Sequence, residues 1–321
     1  MPDSSREGKA YRPDGLVLVI GSAGVDIVGR TNASLQPGTS SPAYIRNSFG
    51  GVARNVAENL ARLGQPVKLL TAVGEDGPGD QLLRQARTTG IDVEDVLIVQ
   101  NQPTNTYLAV VNTQGELQFA LDDMRTIRSV TAAYIKKNAE WFNRASMVFL
   151  DANLSKEALR AVFSLAHKAG VPVCADPAAV GLAQRLIPYL RRLYLVTPNG
   201  AEAGVLCGWP FPVSDMQQAV DAAKCLVSQD VEIAIITMAE FGVCYATSET
   251  NGHIPALHTE ILDPTGAGNA LTATVIFALL NHIPLDDAVR LGVSAASYTL
   301  ASPGTVAHDL SLEKLYDRLI I

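Results

Sequence analysis

Asp263-Pro264-Thr265-Gly266-Ala267-Gly268-Asn269 runs directly into an apolar stretch with helical patterning, Ala270 to Leu280. A small-residue turn at a helix start leaves backbone N–H groups unpaired and adds the positive end of the helix dipole. Gly266, Ala267 and Gly268 could therefore form a hole for an anion. A phosphate that gains charge during transfer suits such a hole. Tight packing of a glycine-rich helix start is the competing explanation for the G-x-G alone. Asp263 and Thr265 add a carboxylate and a hydroxyl that, with nearby carbonyls, could hold a cation beside phosphates. The last position carries the most information. A phosphoryl-transfer site of this shape needs a carboxylate there to take the proton of the attacking hydroxyl, and this chain has Asn269. An amide is no general base at neutral pH.

Four further groups could do chemistry. Gly50-Gly51-Val52-Ala53-Arg54-Asn55 is a second glycine pair at a helix start, where a polar substrate could approach backbone N–H groups and Asn55 could bond a hydroxyl. Room for packing explains the glycines equally well. Asp26 follows the first strand pattern, near the strand ends where α/β sheets hold ligands, and could accept from a vicinal diol. A solvated loop acid is the alternative. Asn199 and Glu202, three apart at a helix start, could orient waters on Mg²⁺. They also fit a capping arrangement, and the two are compatible. Thr237 to Gly242 is either a nucleotide-contacting turn or a plain hairpin. No Walker-type loop, protein-kinase motif or convincing dinucleotide fingerprint occurs. The five histidines show no H-x-x-x-H spacing and read as surface or loop residues.

These residues need elements to position them. Leu16–Ile20 is a short run of β formers ending at Gly21, as in a buried parallel strand. Val52, Val56, Leu60 and Leu63 recur at helical spacing and are closed by Gly64. Strand-like runs follow at 67–73, 147–150, 171–175, 193–197 and 233–237. Helix-like runs lie at 79–89, 156–169, 216–228, 285–300 and 312–319. This alternation predicts an α/β fold with a doubly wound, mostly parallel sheet flanked by helices. Residues 25–49 and 97–122 break the alternation with strand patterns, including a hairpin turning at Gln114-Gly115. They predict a small β-sheet lid. The expected division is a disordered leader over 1–15, an α/β domain over 16–24, 50–96 and 123–321, and a discontinuous lid over 25–49 and 97–122.

The chain has 321 residues, 48% hydrophobic, with net charge −7. That allows a sizeable core and argues against a nucleic acid or an anionic membrane as the main partner. No apolar run reaches the ~18–20 residues of a membrane span. The four cysteines contain no C-x-x-C pair and read as buried free thiols in a reducing, cytoplasmic setting.

Taken in this order, the segments resemble the ribokinase (PfkB) family of sugar and nucleoside kinases over nearly the whole chain from about residue 16. The glycine pair with its helix, the 263–269 turn and the Asn199–Glu202 element each match a family motif. Within the family the likeness is greatest to pseudouridine kinases. Ile20-Gly21-Ser22-Ala23, residues 50–60 with Arg54, Leu121-Asp122-Asp123-Met124 and Asp151-Ala152-Asn153-Leu154-Ser155 carry it. The resemblance implies ATP-dependent phosphorylation of the 5′-hydroxyl of a nucleoside such as pseudouridine. Ribose or another furanose, or nucleoside binding without turnover, are its alternatives. It assigns substrate contacts to Asp26, Gly51, Asn55, Thr106, Asp123 and Asn153. It assigns Mg²⁺ waters to Asn199 and Glu202, the nucleotide border to Thr237 and Gly242, and the transferring phosphoryl group to Gly266, Ala267 and Gly268. Asp263 and Thr265, with carbonyls near 302–305, would hold a monovalent cation such as K⁺. A homodimer through the lid is also implied, since open strand edges and apolar patches need cover.

Two positions depart from the family pattern. Ala239 stands where the nucleotide turn usually has glycine. Asn269 stands where the catalytic aspartate is expected, which predicts impaired turnover with binding preserved. An engineered substitution, a natural pseudokinase, and replacement of the base by Asp26 or Asp123 remain open explanations.

Overall fold

The computed structural model describes residues 15–32, 35, 38–114 and 117–319. Most of the leader, and Gly115 of the expected hairpin turn, lie outside the described residues. The described residues form a nine-stranded sheet, a four-stranded sheet and a two-stranded sheet.

From edge to edge, the large sheet runs Asn251–Ile254, Val243–Ala246, Ile233–Thr237, Leu195–Val196, Val173–Asp176, Ala145–Asp151, Leu16–Ile20, Val67–Leu70 and Ile91–Asp92. Pairing is parallel except at the first two strands of that order, which join as antiparallel neighbours. The central strands, such as Leu16–Ile20 and Ala145–Asp151, read as near-continuous apolar runs because both faces are covered. Leu18, Ile20, Val148 and Leu150 pack on one side with Leu159, Val162 and Phe163 of the helix Lys156–Ala169. Val17, Val19, Met147 and Phe149 pack on the other with Val56 and Leu60 of the helix Val52–Arg62 and Leu271 and Val275 of the helix Ala267–Leu280. Each such side chain contributes roughly 1.5–3 kcal/mol by leaving water. The last helix is apolar on nearly all sides because it is buried between the sheet and the helix Leu285–Leu300.

The lid is the four-stranded sheet, ordered Ala43–Gly50, Gly24–Thr31, Thr106–Val111 and Leu117–Asp123. Its strands reach one residue past the expected bounds at Gly24, Gly50 and Asp123, and the expected start at 97 lies elsewhere. Leu97–Val99 pairs in parallel with Ala72–Gly74 in the two-stranded sheet and stands outside the lid ladder, which starts at Thr106. The apolar run 67–73 is accordingly two strands with Thr71 between them.

Candidate active site

The parallel strands deliver their carboxyl ends to one edge, where the connecting loops gather the polar residues. Asp151, the last residue of its strand, organises this edge. Its Oδ2 accepts from Ser22 N at 2.7 Å, Ser22 Oγ at 2.7 Å and Ala53 N at 3.1 Å, while Oδ1 accepts from Asn153 N at 2.9 Å. One buried carboxylate thus ties two strand ends to the helix Val52–Arg62. Asn153 Nδ2 also reaches Ser22 Oγ, at 3.3 Å. The sequence marked Asp151 only as part of a motif. Its position after a buried parallel strand was the available signal.

The glycine pair is required sterically. Gly51 has φ +94°, and a Cβ there would lie 2.6 Å from Ser22 O. A Cβ at Gly50 would lie 2.1 Å from Asp26 Oδ2, so Asp26 seats directly on the backbone of the pair. Behind it, Arg54 and Glu58 form a buried ion pair that Arg62 and Gln85 extend. Arg54 Nη1 donates to Phe49 O at 2.8 Å and to Asn55 Oδ1 at 3.0 Å, and Thr305 Oγ1 donates to the same Asn55 oxygen at 3.2 Å. With its oxygen held on two donors, Asn55 points its Nδ2 at Asn269 Oδ1, 3.1 Å away. Two candidates 214 positions apart therefore meet.

Asn269 sits in the first turn of the helix Ala267–Leu280. Gly266 caps that helix with φ +86°, and a Cβ on it would fall 1.9 Å from Thr305 O. No side chain caps the helix, so the early N–H groups remain for a ligand. A Cβ on Gly268 would meet nothing within 4 Å. That position faces open space, as an anion site requires.

On the lid, laterally paired residues share a face. Asp26 pairs with Ser48 and Tyr107, and Tyr107 with Asp122. Burial pushes the Asp26 carboxyl up to about 6, opposed by Arg54 and reinforced by Asp263. Burial, then the charges of Asp26 and Asp122, raise the Tyr107 phenol. Thr106 pairs with Val25 on one side and with Asp123 on the other, on the opposite face. The structure does not bring these two expected substrate residues to Asp26. A one-residue offset along a strand reverses the face, and the face that bears Asp26 carries Tyr107 and Asp122 instead. Asp123 is held by Arg125 through paired hydrogen bonds of 2.6 and 2.8 Å.

A cavity of about 870 Å³ adjoins the anion hole. Asn199, Thr237, Ala239, Gly242, Gly268 and Ser297 are among its lining residues. The turn after Ile233–Thr237 is both a hairpin and a cavity wall. Gly242 has φ +86°, and a Cβ there would lie 2.1 Å from Ile254 O. Ala239 adopts φ +47°, a left-handed conformation that favours the glycine this chain lacks. Asn199 and Glu202 make a complete capping box: Glu202 N donates to Asn199 Oδ1 and Asn199 N to Glu202 Oε2, both at 3.0 Å. Burial raises the Glu202 carboxyl. Nearby, burial and the charge of Glu202 push Asp176 up to about 8. The cavity, the unpaired helix start and the acid beside it suit a nucleoside triphosphate with Mg²⁺.

The monovalent cation fits less well. The 302–305 loop does pack on the turn through Thr305 O. The Asp263 carboxylate, however, is engaged on both oxygens. Oδ1 accepts from Thr265 N at 3.0 Å and Thr265 Oγ1 at 2.6 Å, and Oδ2 is ion-paired with Arg46 of the lid. A second cation about 4 Å from that guanidinium would be repelled by ~4 kcal/mol at an effective dielectric constant near 20.

The model of the pfkB family carbohydrate kinases matches residues 14–311. The pseudouridine kinase of Escherichia coli (strain K12) is 32% identical over 297 residues, covering 92% of this chain and 94% of that protein. The guanosine-inosine kinase of Exiguobacterium acetylicum is 26% identical, over 89% of this chain and 94% of its own length. The structure of Arabidopsis thaliana ribokinase complexed with ribose and ATP superposes with a TM-score of 0.81 at 20% identity, covering 96% of this chain and 99% of that one. The fold is ribokinase-like, and the chain belongs to the pfkB family of carbohydrate kinases.

Proposed function

We propose that the site transfers the γ-phosphate of ATP to the 5′-hydroxyl of a ribosyl nucleoside, with pseudouridine as the lead substrate. The observation that carries this reading is the meeting of Asn55 and Asn269, 3.1 Å apart, at the anion hole that adjoins the large cavity. Asp26, the Gly51 backbone, Asn55 and Asn153 hold the ribosyl hydroxyls and the base edge. Asn199 and Glu202 would hold Mg²⁺ through water, and the ion would supply charge neutralisation at the phosphate oxygens. The 5′-oxygen attacks the γ-phosphorus in line as the bond to the β-phosphate bridging oxygen breaks. The N–H groups of Ala267, Gly268 and Asn269 receive the charge that develops, one such donor being worth roughly 3 kcal/mol.

The substrate proton has no acceptor at position 269. Turnover by this sequence is accordingly impaired, while binding persists. The 32% identity to a pseudouridine kinase supports the choice of nucleoside. Calorimetric titration with pseudouridine, uridine and ribose tests it. Tight ribose binding with none for pseudouridine overturns it in favour of a furanose kinase.

A lid-mediated homodimer belongs to the same reading. Ile45, Phe119 and Leu121 are 71%, 64% and 69% exposed and lie on the lid face away from Asp26. A second copy would cover them. Light scattering that finds a monomer at high micromolar concentration contradicts this. The four free cysteines fit a cytoplasmic location. Among the described residues, no helix is long and apolar enough to cross a membrane.

A further inference from the structure

We propose that Arg46 takes the place of the monovalent cation beside the anion hole, so that nucleotide binding by this chain is independent of K⁺ or Na⁺. This rests on the nucleotide-site reading above.

Four observations carry it. Asp263 is 1% exposed, and a carboxylate so buried requires a counter-charge. Among the described residues the ion pair it makes is with Arg46. Arg46 pairs with Val28 on the lid ladder, two residues from the Asp26–Ser48 pair, and therefore lies on the same face as Asp26. Its guanidinium is aimed into the site by register. The other Asp263 oxygen accepts from the N–H and hydroxyl of Thr265, so both oxygens are engaged and the charge is already countered by the guanidinium.

A tethered cation also differs from a free one in what it couples. Arg46 lies on the strand Ala43–Gly50, which ends in the glycine pair and is hydrogen-bonded to the strand bearing Asp26. Seating the lid thus sets the substrate carboxylate and the charge beside Asp263 together. Ions from solution would set only the second. Arg46 is a positioning residue: it acts on the 263–269 turn through Asp263 and touches no reacting atom.

The test is calorimetric binding of a non-hydrolysable ATP analogue with Mg²⁺ to the full chain, in KCl and in choline chloride of equal ionic strength. The unaltered chain should bind within about twofold in the two salts. Arg46→Ala should bind at least about tenfold more weakly in choline chloride and recover most of that loss in KCl, where the ion can enter the vacated corner. Arg46→Lys should retain most of the salt independence, with circular dichroism confirming that both variants are folded. Binding by the unaltered chain that weakens by about fivefold or more without K⁺ overturns the inference. So does an Arg46→Ala variant matching the parent in both salts. Failure of every form to bind nucleotide in either salt overturns the site reading, and the inference with it.

Discussion

Replacing Asn269 by Asp is the perturbation whose outcome the geometry constrains most tightly. Asn269 Oδ1 already accepts from Asn55 Nδ2 at 3.1 Å, and Asn55 is fixed by Arg54 and Thr305. The substitution exchanges the Asn269 NH₂ for an oxygen of nearly the same size, so one carboxylate oxygen inherits the existing bond. The other is left for the substrate proton. No repacking is needed. A positioned general base contributes about 10²–10⁴-fold, equivalent to roughly 2.7–5.4 kcal/mol of barrier. The assay is ADP release coupled to NADH oxidation, with pseudouridine and Mg-ATP. The rate constant kcat should rise by about that factor, and the calorimetric Kd for the nucleoside should stay within about threefold of the parent. A gain below about tenfold with both ligands bound refutes the general-base assignment. It would pass that role to Asp26 or another acid.

Other outcomes follow from the same geometry. Asp26 titrates near 6 when folded against 3.8 in its reference state. Its protonated form is the one the fold favours, so the stability it contributes is full below about pH 4 and lost as pH rises through about 6. Asp26→Asn should therefore unfold at higher denaturant than the parent at pH 8, by up to about 3 kcal/mol. Nucleoside affinity should fall about tenfold per pH unit below 6 in the parent, and Asp26→Asn should lose that dependence; an unchanged slope contradicts the assignment. Gly266→Ala should destabilise the protein, since its Cβ meets Thr305 O, whereas Gly268→Ala should keep the parent melting temperature and lose nucleotide affinity in the same titration. Glu58→Ala strands Arg54 in the core and should cost about 3–5 kcal/mol in urea unfolding. Asp123→Ala, on the far lid face, should leave the nucleoside Kd unchanged, and a large loss would place that residue back in the site.

Legibility in the sequence followed the range of the interactions. Apolar periodicity marked the helices at 156–169, 216–228, 285–300 and 312–319 with their observed bounds, because each pattern is local. The turn before Ala267 and the capping box of Asn199 and Glu202 were readable for the same reason. The lid was readable as strands but not in register. Alternation fixes which residues share a face only once the partner strand is known, and Thr106 and Tyr107 differ by one position. The run 67–73 hid its division because both pieces are buried strands with only Thr71 between them. The contacts that assemble the site were beyond local pattern. Asp151 joins Ser22 across 129 positions, and Arg46 joins Asp263 across 217. Nothing in the composition around Arg46 separates it from a solvated lid arginine.

The most direct test of the account is the product itself. Asn269→Asp protein, ATP, Mg²⁺ and pseudouridine would be followed by ³¹P NMR with proton coupling. A phosphomonoester triplet, split by the two 5′ protons and growing with ADP, is the predicted result. Inorganic phosphate alone, or a doublet from a secondary hydroxyl, would contradict transfer to the 5′ position.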